Sequence, residues 1–191
     1  MALKEAADPS FTEYIQQVKS NAVSLAQALQ SHGYALATNG TDNHLLLWDA
    51  RGTGLSGSKI EKALEWCEVS ANKNAIVGDS SALNPGGVRL GTLAMTTRGM
   101  REVDMVYIAG LIHRIVQVAL NVQVDCEQAL LHTSARHCTS SPSPLPSSKP
   151  VVKLAEFVAQ AKEGPHWKKF EALKEEVSEF ARAFPLPGIV P

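Results

Sequence analysis

The chain is poor in cysteine, and the few cysteines it has do not combine. Cys67, Cys126 and Cys138 make an odd count, and their spacing fits neither a zinc ligand set nor a disulfide framework. Reduced, structural thiols are expected, and with them an intracellular compartment. Neither sign of charge is in excess: 18 Lys and Arg face 19 Asp and Glu, for a formal net charge of -1. With no polybasic run, no nucleic-acid partner is expected. No apolar stretch approaches the ~20 residues that span a bilayer, so no membrane partner is expected either. The N-terminus, Met1 to Asp8, lacks the charged-then-apolar order of a signal peptide and is too acidic for a transit peptide. What remains is an ordinary soluble composition, 45% hydrophobic and 19% charged over 191 residues. That length suits one domain, or a small domain plus an extension.

Periodicity organises the chain. Asp8 is placed to cap a helix that starts at Pro9. Val18, Ala22, Leu25, Ala26 and Leu29 then recur at helical spacing up to His32-Gly33, a long helix whose single apolar stripe needs something to pack on. Tyr34–Thr38 reads as a strand, Asn39-Gly40 as a turn, and His44–Asp49 as a second, largely buried strand. Ser58 and Glu61 have the spacing of a capping box, opening a helix with Ile60, Leu64 and Cys67 on one side. A third strand is predicted around Val88–Gly91, and Ile108, Leu111, Ile112, Ile115, Val116 and Ala119 form the strongest helical stripe. The sum is a small layered α+β domain with helices over one face of a short sheet.

Thr139–Pro150 is rich in serine and proline, unsuited to helix or central strand, and reads as a flexible surface loop. Two helices follow. Leu154, Phe157 and Val158 mark one; Phe170, Leu173, Val177, Phe180 and Phe184 mark the other, which ends at Pro185-Leu186-Pro187-Gly188. The second stripe is only about two heptads long and is expected to pack on the domain rather than form a coiled coil.

The most specific chemistry lies in Asn72–Thr92. Along Val88-Arg89-Leu90-Gly91, side chains alternate between faces, so Val88 and Leu90 share one and Arg89 and Gly91 the other. The apolar pair can enter a core while Arg89 points into space kept clear by Gly87 and Gly91. A guanidinium fork on a rigid strand suits two-point recognition of a carboxylate. From the residues alone, the alternative is a surface arginine on an edge strand.

Longer motifs occur in order: Gly40-Thr41-Asp42-Asn43-His44-Leu45, Asn72-Lys73-Asn74, Gly78-Asp79-Ser80-Ser81-Ala82, Pro85-Gly86-Gly87-Val88-Arg89-Leu90-Gly91-Thr92, Met95-Thr96-Thr97-Arg98-Gly99 and Phe180–Gly188. Together they closely resemble serine hydroxymethyltransferase of the eukaryotic type, from Met1 to about Gln123 and again from near Phe170. The resemblance implies an enzyme that uses pyridoxal 5'-phosphate to interconvert serine plus tetrahydrofolate with glycine plus 5,10-methylenetetrahydrofolate. It implies the fold-type I, aspartate aminotransferase-like architecture, of which this chain resembles only the C-terminal small α+β domain. On that reading residues 1–32 are the leading interdomain helix and 33–138 the domain. Residues 139–150 are a Ser/Pro-rich insertion, and 151–191 are helices that complete the domain.

By the same resemblance, Arg89 matches the arginine that pairs with the substrate carboxylate. Asn74 matches an asparagine that contacts the folate pterin, its amide offering donors and an acceptor to a heterocycle edge; a turn-stabilising asparagine is the alternative. Ser81, Ala82 and Leu83 align with a further folate-contacting loop. His44, opening a strand, is expected to be a satisfied structural group rather than a base. Leu93 stands where the family usually has proline, and Arg98 fits the family run with its role open. The cofactor-forming lysine, found in the family in a Thr-rich segment ending Thr-His-Lys, has no counterpart here; Lys73 matches a different position. The aspartate for the pyridine nitrogen, the stacking histidine and the catalytic glutamate belong to an upstream half. The chain alone is therefore expected to be inactive, with cofactor anchored by that half and the full-length protein a homo-oligomer. Alternatives are a non-catalytic module that docks on full-length subunits and, more weakly, a stand-alone folate binder. Cytoplasm, mitochondrion and plastid are not distinguished.

Overall fold

The structure is a computed structural model that describes residues 2–79, 84–137 and 151–188. The Ser/Pro segment and Cys138 lie outside the described residues. The chain opens with α1 (Ala2–Ala6) and α2 (Pro9–Ser31). Asp8 separates them. Its carboxylate accepts the Ser10 N–H at 2.9 Å and the Ser10 hydroxyl at 2.6 Å. Pro9 sits in the first turn, where no N–H is needed. Segment 1–32, expected as one long helix, is thus a short helix and a long one joined at a cap. The apolar stripe from Val18 to Leu29 is buried as the periodicity predicts. Before Val18 the cover thins, with Leu3 of α1 88% and Phe11 39% exposed, while the Tyr14 hydroxyl still meets Thr97 at 2.9 Å.

Four antiparallel strands form one sheet in the order β1-β2-β4-β3. They are β1 (Ala35–Leu36), β2 (Leu45–Asp49), β3 (Asn72–Asn74) and β4 (Gly87–Gly91). The strand expected over 34–38 shrinks to a pair of residues because Asn39, at φ 54°, turns the chain left-handed almost at once. β2 is not buried throughout. Leu46 and Trp48 enter the core while Leu45, Leu47 and Asp49 are half-buried on the other face. β3 was not foreseen, since its Asn-Lys-Asn sequence lacks strand propensity; ladder bonds to β4 hold it at the sheet edge.

Helix α3 (Gly57–Trp66) begins before the Ser58–Glu61 box would place it, with Ser56 as the N-cap residue. Ser58 lies inside the helix and is buried. Glu61 instead accepts the Lys73 N–H at 3.0 Å and pairs with its ammonium at 3.6 Å, tying α3 to β3. Ile60, Leu64 and Cys67 are buried on one side as expected.

After β4 come α4 (Leu93–Thr97) and the long α5 (Glu102–His137). Contrary to the absence of any long apolar stretch inferred above, Glu102–Thr133 is long and apolar enough, by length and composition, to cross a membrane. Its burial explains that composition: Ile112, Ile115, Val116, Ala119 and Val122 are core residues, packed with α2 and α3 over the inner face of the sheet. Helices α6 (Leu154–Glu163) and α7 (Trp167–Arg182) close the layer. Phe157 stacks on Trp66 at 5.9 Å and Phe170 meets it edge-on at 5.1 Å. The last helix packs on the domain, as its short stripe predicts. It stops at Arg182, so Phe184 lies past its end and rests against Phe180.

Cys67 and Cys126 are free and buried. Burial pushes the Cys67 thiol up to about 12, which makes it inert at neutral pH.

Phe170→Ala is expected to cost about 3–5 kcal/mol of unfolding free energy, read from urea titration; a loss below about 1 kcal/mol would mean α7 is not docked as described. A second expectation concerns His113. His32 stacks on it at 4.3 Å, and it bonds the Tyr34 hydroxyl at 2.9 Å through Nδ1. Burial first, then the neighbouring His32, hold the His113 pKa below its ordinary value. The folded state therefore favours the neutral ring. Its contribution is complete above about pH 6.5 and is lost as pH falls through the lower folded value. Comparing urea midpoints at pH 8 and pH 5.5 for the wild type and His113→Phe should show a smaller drop in the variant.

Candidate functional site

Residues directly opposite in an antiparallel pair share a face. The register sets Leu47 and Asn72 opposite Arg89, Asp49 and Asn74 opposite Gly87, and Leu45 opposite Gly91. All therefore belong to the outer face, while Val88 and Leu90 are buried beneath. Arg89 is exposed there, on a strand bonded on both sides. It is not on an edge strand. Asn74 is its diagonal neighbour, about 7–8 Å away by strand geometry. The sheet thus brings Arg89 and Asn74 together; Ser81, Ala82 and Leu83 lie outside the described residues.

Arg89 borders a hollow of 390 Å³ lined by His44, Leu45, Ser70, Ala71, Asn72 and Gly91. Among the described residues its guanidinium joins none of the ion pairs, which take up Arg51, Arg114 and several lysines. The Asn74 amide donates to the Ala75 carbonyl at 2.7 Å, the local bonding expected of a turn-stabilising asparagine; a ligand would have to compete for that donor. His44 is not the satisfied structural group expected. It is exposed at the rim, because β2 begins one residue later. The turn before it is held by Asn43, whose side chain accepts the Leu45 N–H at 2.9 Å, and by Thr41, which donates to the Leu45 carbonyl.

Sequence reasoning missed the residues that hold the adjoining loop. Asp49 on the outer face takes Arg51 in a fork, at 3.0 Å from Nε and 2.7 Å from a terminal nitrogen. The other guanidinium nitrogen donates to the Val77 carbonyl at 3.1 Å. Asp79 accepts the Ile76 N–H at 2.9 Å and the Gly86 N–H at 2.8 Å, clamping both ends of the loop. Those amides hold its carboxyl below the usual range, as the Arg51 fork does for Asp49. Gly87 is small for a reason other than clearing space for Arg89. A Cβ there would lie 2.6 Å from Ile76 Cγ2 and 2.7 Å from the Asn74 carbonyl oxygen. Gly91 does leave its side of the face open, since a Cβ there meets nothing closer than 3.7 Å.

Arg98 has a structural task. It donates to the carbonyls of Ala181, Phe184 (3.0 Å) and Pro185 (3.3 Å), capping the end of α7. Leu93 is the first residue of α4, and Thr92 before it has φ -109° and ψ -3°. That backbone is one a following proline disfavours.

The outer face thus carries a guanidinium fork on a doubly bonded strand, an amide diagonal to it and the His44 imidazole at the rim of the hollow. The fold is that of an α+β domain with an exposed arginine on the outer face of its sheet. Residues 1–112 match the family model described as serine hydroxymethyltransferase. The chain is 41% identical over 188 residues to serine hydroxymethyltransferase of Bombyx mori, covering 98% of this chain and 35% of that protein. It is 40% identical over 190 residues to the cytosolic enzyme of Oryctolagus cuniculus, covering 99% and 35%. It is 52% identical over 123 residues to serine hydroxymethyltransferase 5 of Arabidopsis thaliana, covering 64% and 26%. The chain belongs to the serine hydroxymethyltransferase family. It spans between 26% and 35% of the length of these relatives.

The family implies pyridoxal phosphate, and the hollow beside Arg89 does not fit it. The cofactor aldehyde needs an amine, and the lining residues supply none. Lys73 alternates to the opposite face from Arg89, opposite Val88, and is paired with Glu61. The residues here fit a carboxylate, not the cofactor.

Gly87→Ala is expected to destabilise the fold by about 1–3 kcal/mol, because a carbonyl and a packed isoleucine must both give way. Gly91→Ala should stay within about 0.5 kcal/mol. Urea midpoints of the pair check this; equal losses would refute the role given to Gly87.

Proposed function

We propose that this chain is the substrate-carboxylate and folate side of a serine hydroxymethyltransferase, the C-terminal small domain of a fold-type I enzyme. The reaction interconverts serine plus tetrahydrofolate with glycine plus 5,10-methylenetetrahydrofolate. The single observation that carries the reading is Arg89, exposed on the outer face of a doubly paired strand and outside every ion pair among the described residues. Its fork donates to both oxygens of an amino-acid carboxylate and fixes the substrate's orientation. Asn74, diagonal to it, offers an amide to the pterin, and Ser81, Ala82 and Leu83 extend that contact. Residues 1–32 lead in from the large domain and 151–191 complete the small one. Pyridoxal phosphate, when bound by the rest of such an enzyme, supplies the electron sink for breaking bonds at the amino-acid α-carbon. This chain's residues bind and orient; they move no proton. The 191-residue chain by itself does not cleave serine, and the full-length assembly is an intracellular homo-oligomer with neither nucleic acid nor membrane as partner.

A second reading is a non-catalytic module that docks on full-length subunits. The exposed Leu3 of α1 and Phe11 in the first turn of α2 favour a docking role in either case.

The test is a hybrid in which this chain replaces the matching C-terminal part of the Bombyx mori relative. Serine cleavage is expected in the hybrid and not in the 191-residue chain supplied with cofactor and folate. In the hybrid, Arg89→Lys should raise KM for serine about 10- to 100-fold, the loss of a two-point charged contact. An active isolated chain would overturn the binding-only assignment. A folded hybrid that Arg89→Lys leaves unchanged would remove Arg89 from the site.

A further inference from the structure

A larger cavity, of 730 Å³, lies at the start of α3, and the proposed function leaves it without a role. Arg51, Ser58, Lys59, Gln123, Glu127 and Lys153 are among its lining residues. We infer that it is an anion site that takes the phosphoryl group of a small molecule, seated between the α3 N-terminus and the Lys59 ammonium.

α3 spans Gly57–Trp66, and no side chain caps its N-terminus. The Gly57 N–H donates to the Pro85 carbonyl at 2.9 Å and the Lys59 N–H to that of Ser56 at 3.0 Å, while the Ser58 N–H has no backbone acceptor among the described residues. The Ser58 N–H is thus the unmet donor at a helix N-terminus, where partial positive charge favours oxyanions. The second observation is independent of that geometry. The Ser58 side chain, in a residue only 4% exposed, lines this cavity and has no hydrogen-bond partner for its Oγ. A buried hydroxyl without a partner costs about 1–3 kcal/mol, so an acceptor at this place is physically called for.

Formal charges around the cavity balance, since beyond the two ion pairs the lysines Lys59 and Lys153 face the carboxylates of Asp79 and Glu127, so the positive character of the site is local to Lys59. Arg51 is held by Asp49 and Lys73 by Glu61. Asp79 is occupied by two backbone amides. Glu127 accepts the Gln123 amide at 2.7 Å. Lys59, a residue 6% exposed, is the buried cation of the cavity, and its only hydrogen-bond partner among the described residues is a neutral one, the Gln123 amide oxygen at 2.7 Å. The Phe157 ring lies beneath the ammonium at 5.7 Å. An ammonium so placed has N–H groups to spare and no carboxylate bonded to it. Lys153 at the rim joins none of the ion pairs among the described residues. Leu55, Val151, Val152 and Leu154 line the cavity beside these groups. That apolar lining suits a phosphate ester better than the bare ion.

The full 191-residue chain is titrated at constant ionic strength with inorganic phosphate and, separately, with glycerol 3-phosphate, following backbone amide shifts. Saturable shifts of Ser58 and Lys59 with either probe are expected. Tighter binding of the ester identifies a phosphorylated metabolite as the occupant, and equal binding identifies the free ion; both support the site. Ser58→Ala, nearly isosteric, should weaken binding about tenfold with the fold intact. Lys59→Met should abolish it. Arg89→Lys should leave it unchanged, which separates this site from the carboxylate site. No saturable shift with either probe, or the same affinity in folded Ser58→Ala, would overturn the assignment.

Discussion

Everything at the outer face depends on the double pairing of β4. Bonded to β2 on one side and β3 on the other, its backbone has no freedom to turn. Val88 and Leu90 are locked into the core. The alternation of a strand then leaves Arg89 no choice of face. The loop entering β4 is held just as closely. A Cβ on Gly57 would strike the Gly87 carbonyl oxygen at 2.3 Å, and one on Gly86 would lie 2.7 Å from both Asp79 and Arg51. Glycine at these positions lets α3, the loop and the sheet approach at backbone distance. The rigidity of the arginine's base is bought by packing that no larger residue would allow.

Three arginines of the same region show how context divides one chemistry into different tasks. Arg51 is satisfied by Asp49 and the Val77 carbonyl and serves to hold a loop. Arg98 is satisfied by carbonyls at the end of α7 and serves to stop a helix. Arg89 has the same fork without an internal partner among the described residues. A guanidinium cannot shed its proton to lower the cost of being unpaired, so it waits in water for an acceptor. The distinction lies in partners far apart in sequence, which is why Arg98 carried no legible role in the motif alone.

Much of the layered plan was legible. The stripes of α2, α5 and α7 were visible because each packs one face, so burial and helical period coincide. Val88–Gly91 was visible for the same reason at period two. What escaped did so where local sequence contradicts its tertiary setting. β3 is made of Asn72, Lys73 and Asn74, residues that form a strand only because β4 offers a ladder. Ser58 and Glu61 match a capping box in spacing, but Gly57 fits under the Gly87 carbonyl and starts the helix earlier, freeing Glu61 to reach Lys73. Of the candidate site, Arg89 was readable from alternation. The partnership with Asn74 was not, because it follows from register. The Asp79 clamp was invisible, since its acceptor role depends on amides at both ends of a loop.

The worth of Arg89 as a binding group then turns on water. On an open face, a charged fork and a carboxylate attract each other weakly: the pair is solvated on all sides, and exposed ion pairs contribute about 0–1 kcal/mol. The hollow beside it is walled on one side by the sheet and open on the other. If a second wall closes over the ligand, the same contact acts at lower effective dielectric and its strength rises several-fold. Exposed apolar residues to which such a wall would attach include Leu3 of α1 and Phe11 of early α2, and also Val103 and Val106 of α5. The strand supplies direction, and whatever covers the face supplies affinity.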